Sequence, residues 1–409
     1  MVKREKIILI SFFSLLLALG SLNVFLTYKG KIGNVVTPKG DTFSVLSAST
    51  SFVPPELPNY VVYGYLPYWT LNAVEYLQLD KLTDIAYFGL NINAKGEIVK
   101  TGEDGNLLPG YRNWRESEKL DALVELTELY GTRLALTIVA HEDAVSTAFL
   151  KCPECWDTFY NELTTEMDFR GVRHVNLNFE YVQYVEKDIA LLHTQFVDYL
   201  NKRLDERYGN SFLVSSAFAD SVVKDRVGDI PSLAQAADGI FIMAYDFHSA
   251  GSQSTGPVSP VGGGEGVLQD YDINTLIKDY LSVAPPSKLI LGLPYYGYNW
   301  VVEQHAPYTA VLIDDTDDLV SHSQTYASII ETLITTGAEV KWDEVSRVPF
   351  FSYESPETGA LRQVYFENTE SLKEKYQIVK SNQLMGAGIW ALGYDGGYQE
   401  LWDLLGEEF

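Results

Sequence analysis

The sequence predicts an α/β chain folded as a (β/α)8 TIM barrel, with a small α+β insertion between the seventh and eighth strands. Three observations carry this prediction. Short apolar runs rich in β-branched and aromatic residues recur eight times. Most are separated by segments of helical length and spacing. Polar or aromatic residues close the runs, as expected where barrel strands end in a functional face.

The first run is 61–65, which follows the chain-breaking Pro54, Pro55 and Pro58. The second and third are 84–90 and 133–139, with helical spacing over 117–130 between them. The fourth is 175–179, followed by the helical stretch 187–208. Then come 212–217, 239–245, 289–293 and, after a long gap, 386–390. Residues from about 298 to 366 exceed what a single connecting helix needs. They contain strand-like pieces at 340–342, 350–353 and 363–366, and so read as the insertion. The barrel body is therefore placed at 59–409. Before it, residues 29–58 mix Lys, Gly, Thr, Ser and Pro without periodicity and read as a linker.

Residues 1–28 read as a signal peptide or a transmembrane anchor. Lys3, Arg4 and Lys6 precede an uncharged run over 7–28, about the length that spans a bilayer. The basic flank would stay in the cytoplasm. Ala18-Leu19-Gly20 offers a small-residue cleavage site. Either way the body is expected to be extracytoplasmic, membrane-anchored or secreted, with the N-terminal segment as its membrane contact.

Composition narrows the function classes. A formal charge of −25 with no basic patch argues against nucleic acid as a partner. Hydrophobic residues at 46% allow a sizeable core. The 27 Tyr, 19 Phe and 7 Trp are abundant; most are expected in ordinary packing, and rings beyond core needs would suit the apolar faces of sugars. Cys152 and Cys155 are the only cysteines. Outside the cytoplasm a local disulfide is the leading reading, with an idle thiol pair as the alternative. A zinc site would need two more ligands, which six scattered histidines do not obviously supply. No phosphate loop, Ser-His-Asp order or His-Glu-x-x-His pattern occurs.

The most informative run is Val175-Asn176-Leu177-Asn178-Phe179-Glu180-Tyr181. Period-2 alternation places Asn176, Asn178 and Glu180 on one face. Unpaired and buried, such groups would cost about 1–3 kcal/mol each. Something polar must meet them, either a ligand or an internal hydrogen-bond network. Other strand ends supply further candidates: Tyr65 with Trp69, Asn91 and Asn93, Tyr245 with Asp246, Tyr295 and Tyr296, and Trp390. His141 and His248 also follow strand ends, but each reads as a structural histidine and receives no role.

At this point the chain resembles glycoside hydrolase family 18, the family of chitinases, over about residues 60–406. Four strings in the right order carry the resemblance. Tyr63-Gly64-Tyr65-Leu66-Pro67-Tyr68-Trp69 resembles the opening strand, and Met243-Ala244-Tyr245-Asp246 the sixth. Leu291-Gly292-Leu293-Pro294-Tyr295-Tyr296-Gly297 resembles the seventh, and Gly388-Ile389-Trp390-Ala391-Leu392-Gly393-Tyr394-Asp395 the last. Trp342-Asp343-Glu344, Pro349-Phe350-Phe351 and Tyr365-Phe366-Glu367-Asn368 are similar to the bacterial branch of spore-cortex and cell-wall N-acetylglucosaminidases. One position departs from the family. Its fourth strand carries a carboxylate two residues before the acid, and here that position is Asn178.

The resemblance implies hydrolysis of β-linked N-acetylglucosamine polymers by substrate-assisted retention, a known exception to the two-carboxylate scheme. Glu180 would be the general acid and base. Asn178 would orient the substrate's acetamido group, Tyr245 would hydrogen-bond its oxygen, and Asp246 would contact the sugar and support Tyr245. Trp390 would floor the site, with Tyr65, Trp69, Asn176, Tyr295 and Tyr296 as further substrate-binding residues. No metal or organic cofactor is implied. The partner expected is a polysaccharide containing N-acetylglucosamine, bound by a monomer. Without a carboxylate at 178, Glu180 is expected to ionise more readily. A family 85 glycoside hydrolase likeness in the Asn-x-Glu pair leaves catalysis open to an amide. The alternatives are a catalytically impaired sugar-binding protein on the same barrel, or a barrel with another role at the envelope.

Overall fold

The computed structural model describes residues 56–181, 185–263, 271–312 and 321–409. The expected leader or anchor over 1–28, and all of the linker but its last three residues, lie outside the described residues. Among the described residues no helix is long and apolar enough to cross a membrane.

Seven strands run first through the chain: β1 (Val61–Pro67), β2 (Asp84–Asn91), β3 (Arg133–Ala140), β4 (His174–Phe179), β5 (Leu213–Phe218), β6 (Gly239–Met243) and β7 (Leu289–Pro294). The chain then enters a second sheet of β8 (Tyr296–Val301), β9 (His322–Thr325), β10 (Lys341–Asp343), β11 (Val348–Glu354) and β12 (Leu361–Tyr365). It returns as β13 (Gly386–Trp390). The parallel strands close in the order β1-β13-β7-β6-β5-β4-β3-β2, and the second sheet has the order β10-β11-β12-β8-β9. The helices are α1 (Pro109–Glu116), α2 (Glu118–Tyr130), α3 (Asp143–Leu150), α4 (Pro153–Arg170), α5 (Lys187–Tyr208), α6 (Ile230–Ala236), α7 (Ile273–Val283), α8 (Tyr326–Thr336), α9 (Thr369–Ser381) and α10 (Gln399–Glu408). The barrel with its α+β insertion is thus the fold that the apolar rhythm predicts.

Two boundaries are corrected. The run 239–245 was expected to be extended throughout, but β6 stops at Met243, and Asp246 adopts φ of 60°. The insertion was expected from about 298, yet it starts at Tyr296, two residues after the end of β7. Tyr295 still bonds the barrel through its N–H to the Trp390 carbonyl at 2.7 Å. Its neighbour Tyr296 already pairs with Thr325 of β9. Cys152 and Cys155, at the start of α4, are joined by a disulfide.

The strands divide their side chains between two cores. Val175, Leu177 and Phe179 of β4 join the layer between strands and helices. Tyr63, Tyr65, Phe88 and Phe241 fill the barrel interior. Phe241 fits there because β7 and β13 carry glycines beside it. A Cβ on Gly292 would lie 2.2 Å from the ring, and one on Gly388 2.1 Å from it. At the amino-terminal end, Arg133 holds the buried Asp84 through two bonds of 2.7 Å, tying β2 to β3. Beside the insertion, Glu367 and Lys375 form a fully buried ion pair that fastens α9 to the segment leaving β12.

Two histidines, one at the start of β4 and one packed against it, are shielded from solvent. His193 of α5 is fully buried against Phe179, with ring centroids 5.2 Å apart. Burial pushes it and His174 down to about 4, with help at His174 from Arg133 and Arg173. An unfolded imidazole titrates near 6.5. Between those values the unfolded chain takes up protons that the fold refuses, so stability falls as pH drops, by about 1.4 kcal/mol per pH unit for each histidine.

Two outcomes are expected. Gly388→Ala should destabilise the fold by about 1–3 kcal/mol in a denaturant titration, because Phe241 cannot yield without disturbing the barrel interior. An unchanged midpoint would contradict the packing described. Stability measured at pH 7 and pH 4.5 should fall less in His193→Leu than in the unmodified chain. Equal losses would show that His193 is not an acid-sensitive element.

Candidate active site

The site grows out of the alternation along β4. Asn176 and Asn178 point into the barrel and are buried. Glu180 follows at the strand's carboxyl end, level with the end of β3, since its N–H donates to the Ala140 carbonyl at 3.0 Å. The Asn178 side-chain N–H donates to Glu180 Oε1 at 2.8 Å. The same Nδ2 lies 2.9 Å from His141 Nε2, and that Nε2 is 3.4 Å from Glu180 Oε1. Three polar groups from the ends of two adjacent strands therefore form one triangle.

They border a cleft of about 400 Å³ at the carboxyl-terminal mouth of the barrel. Tyr245, Asp246 and Tyr296 supply its other polar groups. Its aromatic surface comes from Tyr65, Trp69, Phe88 and Trp390. The Trp390 ring packs edge-on to Phe88 at 4.9 Å and to Tyr65 at 5.4 Å. Trp69 is half exposed at 51%, leaving a free face at the rim. A second hollow of about 590 Å³ shares Phe218, Met243, Tyr245 and Asp246 with this cleft. The two hollows adjoin at these four residues.

The electrostatics follow from these contacts. Burial pushes the Glu180 carboxyl up, but the hydrogen bond and charge of His141 and the Asn178 amide outweigh it, so the carboxyl sits below its ordinary value. Ready ionisation was expected, but from the missing carboxylate. The larger downward influence is the imidazole. Burial raises the Tyr245 phenol well above its usual range and keeps it a proton donor. Burial also raises the Asp246 carboxyl, against hydrogen bonds from Tyr296 at 2.5 Å and Tyr298 at 2.9 Å.

The structure brings Glu180, Asn178, Tyr245, Asp246, Trp390, Tyr65, Trp69 and Tyr296 to one cleft. It does not bring Asn176 or Tyr295 there. Asn176 lies one layer below, donating to the Val214 carbonyl at 3.1 Å and facing Ser216, which in turn meets the Tyr65 hydroxyl at 2.9 Å. Its Nδ2 is met by the barrel, while its buried Oδ1 has no hydrogen-bond partner among the described residues. Tyr295 is core. It leaves β7 on the outer side, and its hydroxyl meets that of Tyr376 on α9 at 3.2 Å. Asp246 is supported by Tyr296 and Tyr298, not paired with Tyr245 as expected. Asn93 bonds its own loop through Lys95 and Glu97. His248 is buried with Nδ1 3.1 Å from the Pro257 carbonyl.

His141 is the residue that sequence reasoning missed. A signal was available. It follows β3 directly, as Glu180 follows β4, and neighbouring parallel strands end side by side. Among the described residues no cluster of three or more His, Cys, Asp or Glu side chains is gathered for a metal ion. What remains is a cleft that can hold a ring on aromatic surface, donate a proton from one acid and hydrogen-bond a polar substituent beside it.

Comparison with known proteins agrees with this geometry. The chain is 26% identical over 357 residues to the "Putative sporulation-specific glycosylase YdhD" of Bacillus subtilis (strain 168), covering 85% of this chain and 76% of that protein. It is 22% identical over 303 residues to the cortical fragment-lytic enzyme of the same organism, covering 71% of this chain and 63% of that one. Among solved structures, the Ostrinia furnacalis Group IV chitinase in complex with allosamidin superposes with a TM-score of 0.72 at 19% identity, over 86% of this chain and 100% of that one. The Bacillus cereus spore cortex-lytic enzyme SleL does so with a TM-score of 0.67 at 18% identity, over 86% and 74%. Residues 61–395 match the description of the glycosyl hydrolases family 18, and the chain with its barrel and cleft belongs to that family.

Proposed function

We propose that this chain hydrolyses β-linked N-acetylglucosamine polymers of the chitin or peptidoglycan type, with Glu180 as general acid and base. The observation that carries the proposal is Glu180 at a strand end, held by Asn178 at 2.8 Å, in one cleft with Tyr245 and Trp390. The names of the relatives, a glycosylase, a cortex-lytic enzyme and a chitinase, support the substrate class.

Glu180 protonates the glycosidic oxygen as the bond to the anomeric carbon breaks. The substrate's 2-acetamido oxygen attacks that carbon from within the same sugar and forms an oxazolinium ion. Proximity makes this attack effectively unimolecular. Water then opens the ring and gives its proton to Glu180. Tyr245 donates to the acetamido oxygen, Trp390 underlies the sugar, and Asp246, fixed by Tyr296 and Tyr298, accepts from a sugar hydroxyl.

Asn178 makes the site slower than a carboxylate would. Its amide can take an acetamido N–H through Oδ1, but it brings no charge to the cationic intermediate. The loss is about 10²–10³ in rate, by analogy with other single contacts at charged transition states. Asn178 Oδ1 is buried without a hydrogen-bond partner, so the side chain must shift to offer it to the substrate. That orientation also favours a second reading, a sugar-binding protein that retains substrate without cleaving it. The uncharged run over 7–28 and its basic flank support a place outside the cytoplasmic membrane, where the chain works as a monomer.

Hydrolysis of a chromogenic chito-oligosaccharide tests the proposal. Glu180→Gln should lose about 10²–10⁴-fold in turnover while still binding the sugar. Asn178→Asp should gain rate. Equal binding by all three proteins with no turnover in any would replace the enzyme with the sugar-binding protein.

A further inference from the structure

The hollow beside the cleft carries charge that the proposed reaction does not use. One of its walls is the loop that leaves β5 at its carboxyl end, and that loop contributes Asp220, Lys224 and Arg226. The loop turns tightly, because the Asp220 carbonyl accepts from the Val223 N–H at 3.0 Å and from the Lys224 N–H at 2.9 Å. The side chains converge too. Arg226 donates to both Asp220 oxygens at 3.0 Å, through Nε and Nη2, and Lys224 Nζ stands 3.1 Å from Oδ2. The Arg226 guanidinium also lies over the Phe218 ring, 4.7 Å from its centroid.

Two cations against one carboxylate leave this cluster positive, in a chain whose formal charge is −25. Depth decides which sign the hollow meets. The Asp220 and Arg226 side chains are 16% and 18% exposed, and that of Lys224 is 48% exposed. The carboxylate is engaged in holding Arg226, and the ammonium is the outermost charge. An ammonium has three N–H donors, more than the single contact with Asp220 uses. The loop after β6 adds the uncharged side chains of Ser252, Gln253 and Ser254. That loop is braced by the insertion. Trp300 Nε1 donates to the Ser249 carbonyl, and the Thr255 N–H to the Thr309 carbonyl, each at 2.9 Å.

The other titratable groups at the hollow are engaged elsewhere. Asp246, where the hollow meets the cleft, accepts from the Tyr296 and Tyr298 hydroxyls. Tyr271 donates to Asp279 at 2.5 Å. His248 keeps Nδ1 on the Pro257 carbonyl, and burial lowers its pKa.

We propose that this hollow receives a carboxylate carried by a sugar next to the one cleaved, with Lys224 as its principal contact. The substrate is then an acidic glycan of the peptidoglycan type, not a neutral one of the chitin type. The proposal rests on the glycosidase reading of the adjoining cleft. Both polymers present an N-acetylated sugar to Glu180, and only the first carries an acidic lactyl ether on alternate sugars. A strongly negative protein repels such a polymer at a distance. A cation fixed beside the cleft offsets that repulsion where the polymer is seated, through a charge-assisted hydrogen bond.

Binding to the full chain carrying Glu180→Gln, which removes turnover, tests this. Three tetrasaccharides are compared: one with a lactyl carboxylate on alternate N-acetylglucosamine units, its methyl ester, and N-acetylchitotetraose. The acid should bind about tenfold more tightly than the ester, as expected for one charge-assisted contact. High salt should erode that preference. Adding Lys224→Gln should abolish it by weakening the acid alone, and Lys224→Arg, which keeps the charge, should preserve it. Equal affinity for acid and ester overturns the proposal. So does a loss in Lys224→Gln spread evenly over all three ligands, which would assign Lys224 to the fold of its loop. Turnover of chito-oligosaccharide by the unmodified chain without any preference for the acid would sink this site and leave the hydrolase standing. Preference for the acid without turnover of any of the three would sink the hydrolase and leave this site standing.

Discussion

The hydrogen bond from Asn178 to Glu180 is the contact on which the site depends. It exists because β4 alternates strictly, sending apolar side chains outward to the helices and amides inward to the barrel axis. A buried amide and a half-buried carboxylate two residues apart would each be costly alone. Together with the imidazole ending β3 they pair the amide Nδ2 with one carboxylate oxygen, while the buried Asn178 Oδ1 is left without a partner among the described residues. The same arrangement fixes the direction in which the acid points. A shift of one residue in β4 would turn the whole polar set into the helix layer.

The cleft above that contact is a product of two sheets, not one. Phe241, accommodated by Gly292 and Gly388, fills the barrel and supports the aromatic floor at Tyr65. On the far side, β8 begins immediately after β7 and sends Tyr296 and Tyr298 to the same oxygen of Asp246. Residues two apart on a strand share a face, which is why both can reach it. The insertion is therefore part of the site. Asp246 itself sits at φ of 60°, a conformation that ends β6 and swings its carboxylate toward those phenols.

Much of this was legible in the sequence, and the failures have physical causes. The eight strands were readable because parallel barrel strands are buried on both faces and stand out as apolar runs. Glu180, Asn178, Tyr245 and Trp390 were readable from alternation and from strand ends. Tyr295 and Tyr296 were not separable, since the side each faces depends on where β7 gives way to β8. Asn176 looked equivalent to Asn178 on the strand face, but depth decides between them, and depth comes from neighbours on β5. His141 escaped because its partner lies across a strand pairing, 39 positions away in the chain.

The central claim is that one acid suffices because the substrate's own amide supplies the nucleophile. The direct measurement is the product anomer, followed by proton nuclear magnetic resonance in the first moments of hydrolysis. Matched substrates bearing either acetamido or hydroxyl at the second carbon would be compared. The account predicts that the β-anomer forms first and that only the acetamido substrate is cleaved. Initial release of the α-anomer, or equal cleavage of the hydroxyl substrate, would contradict it.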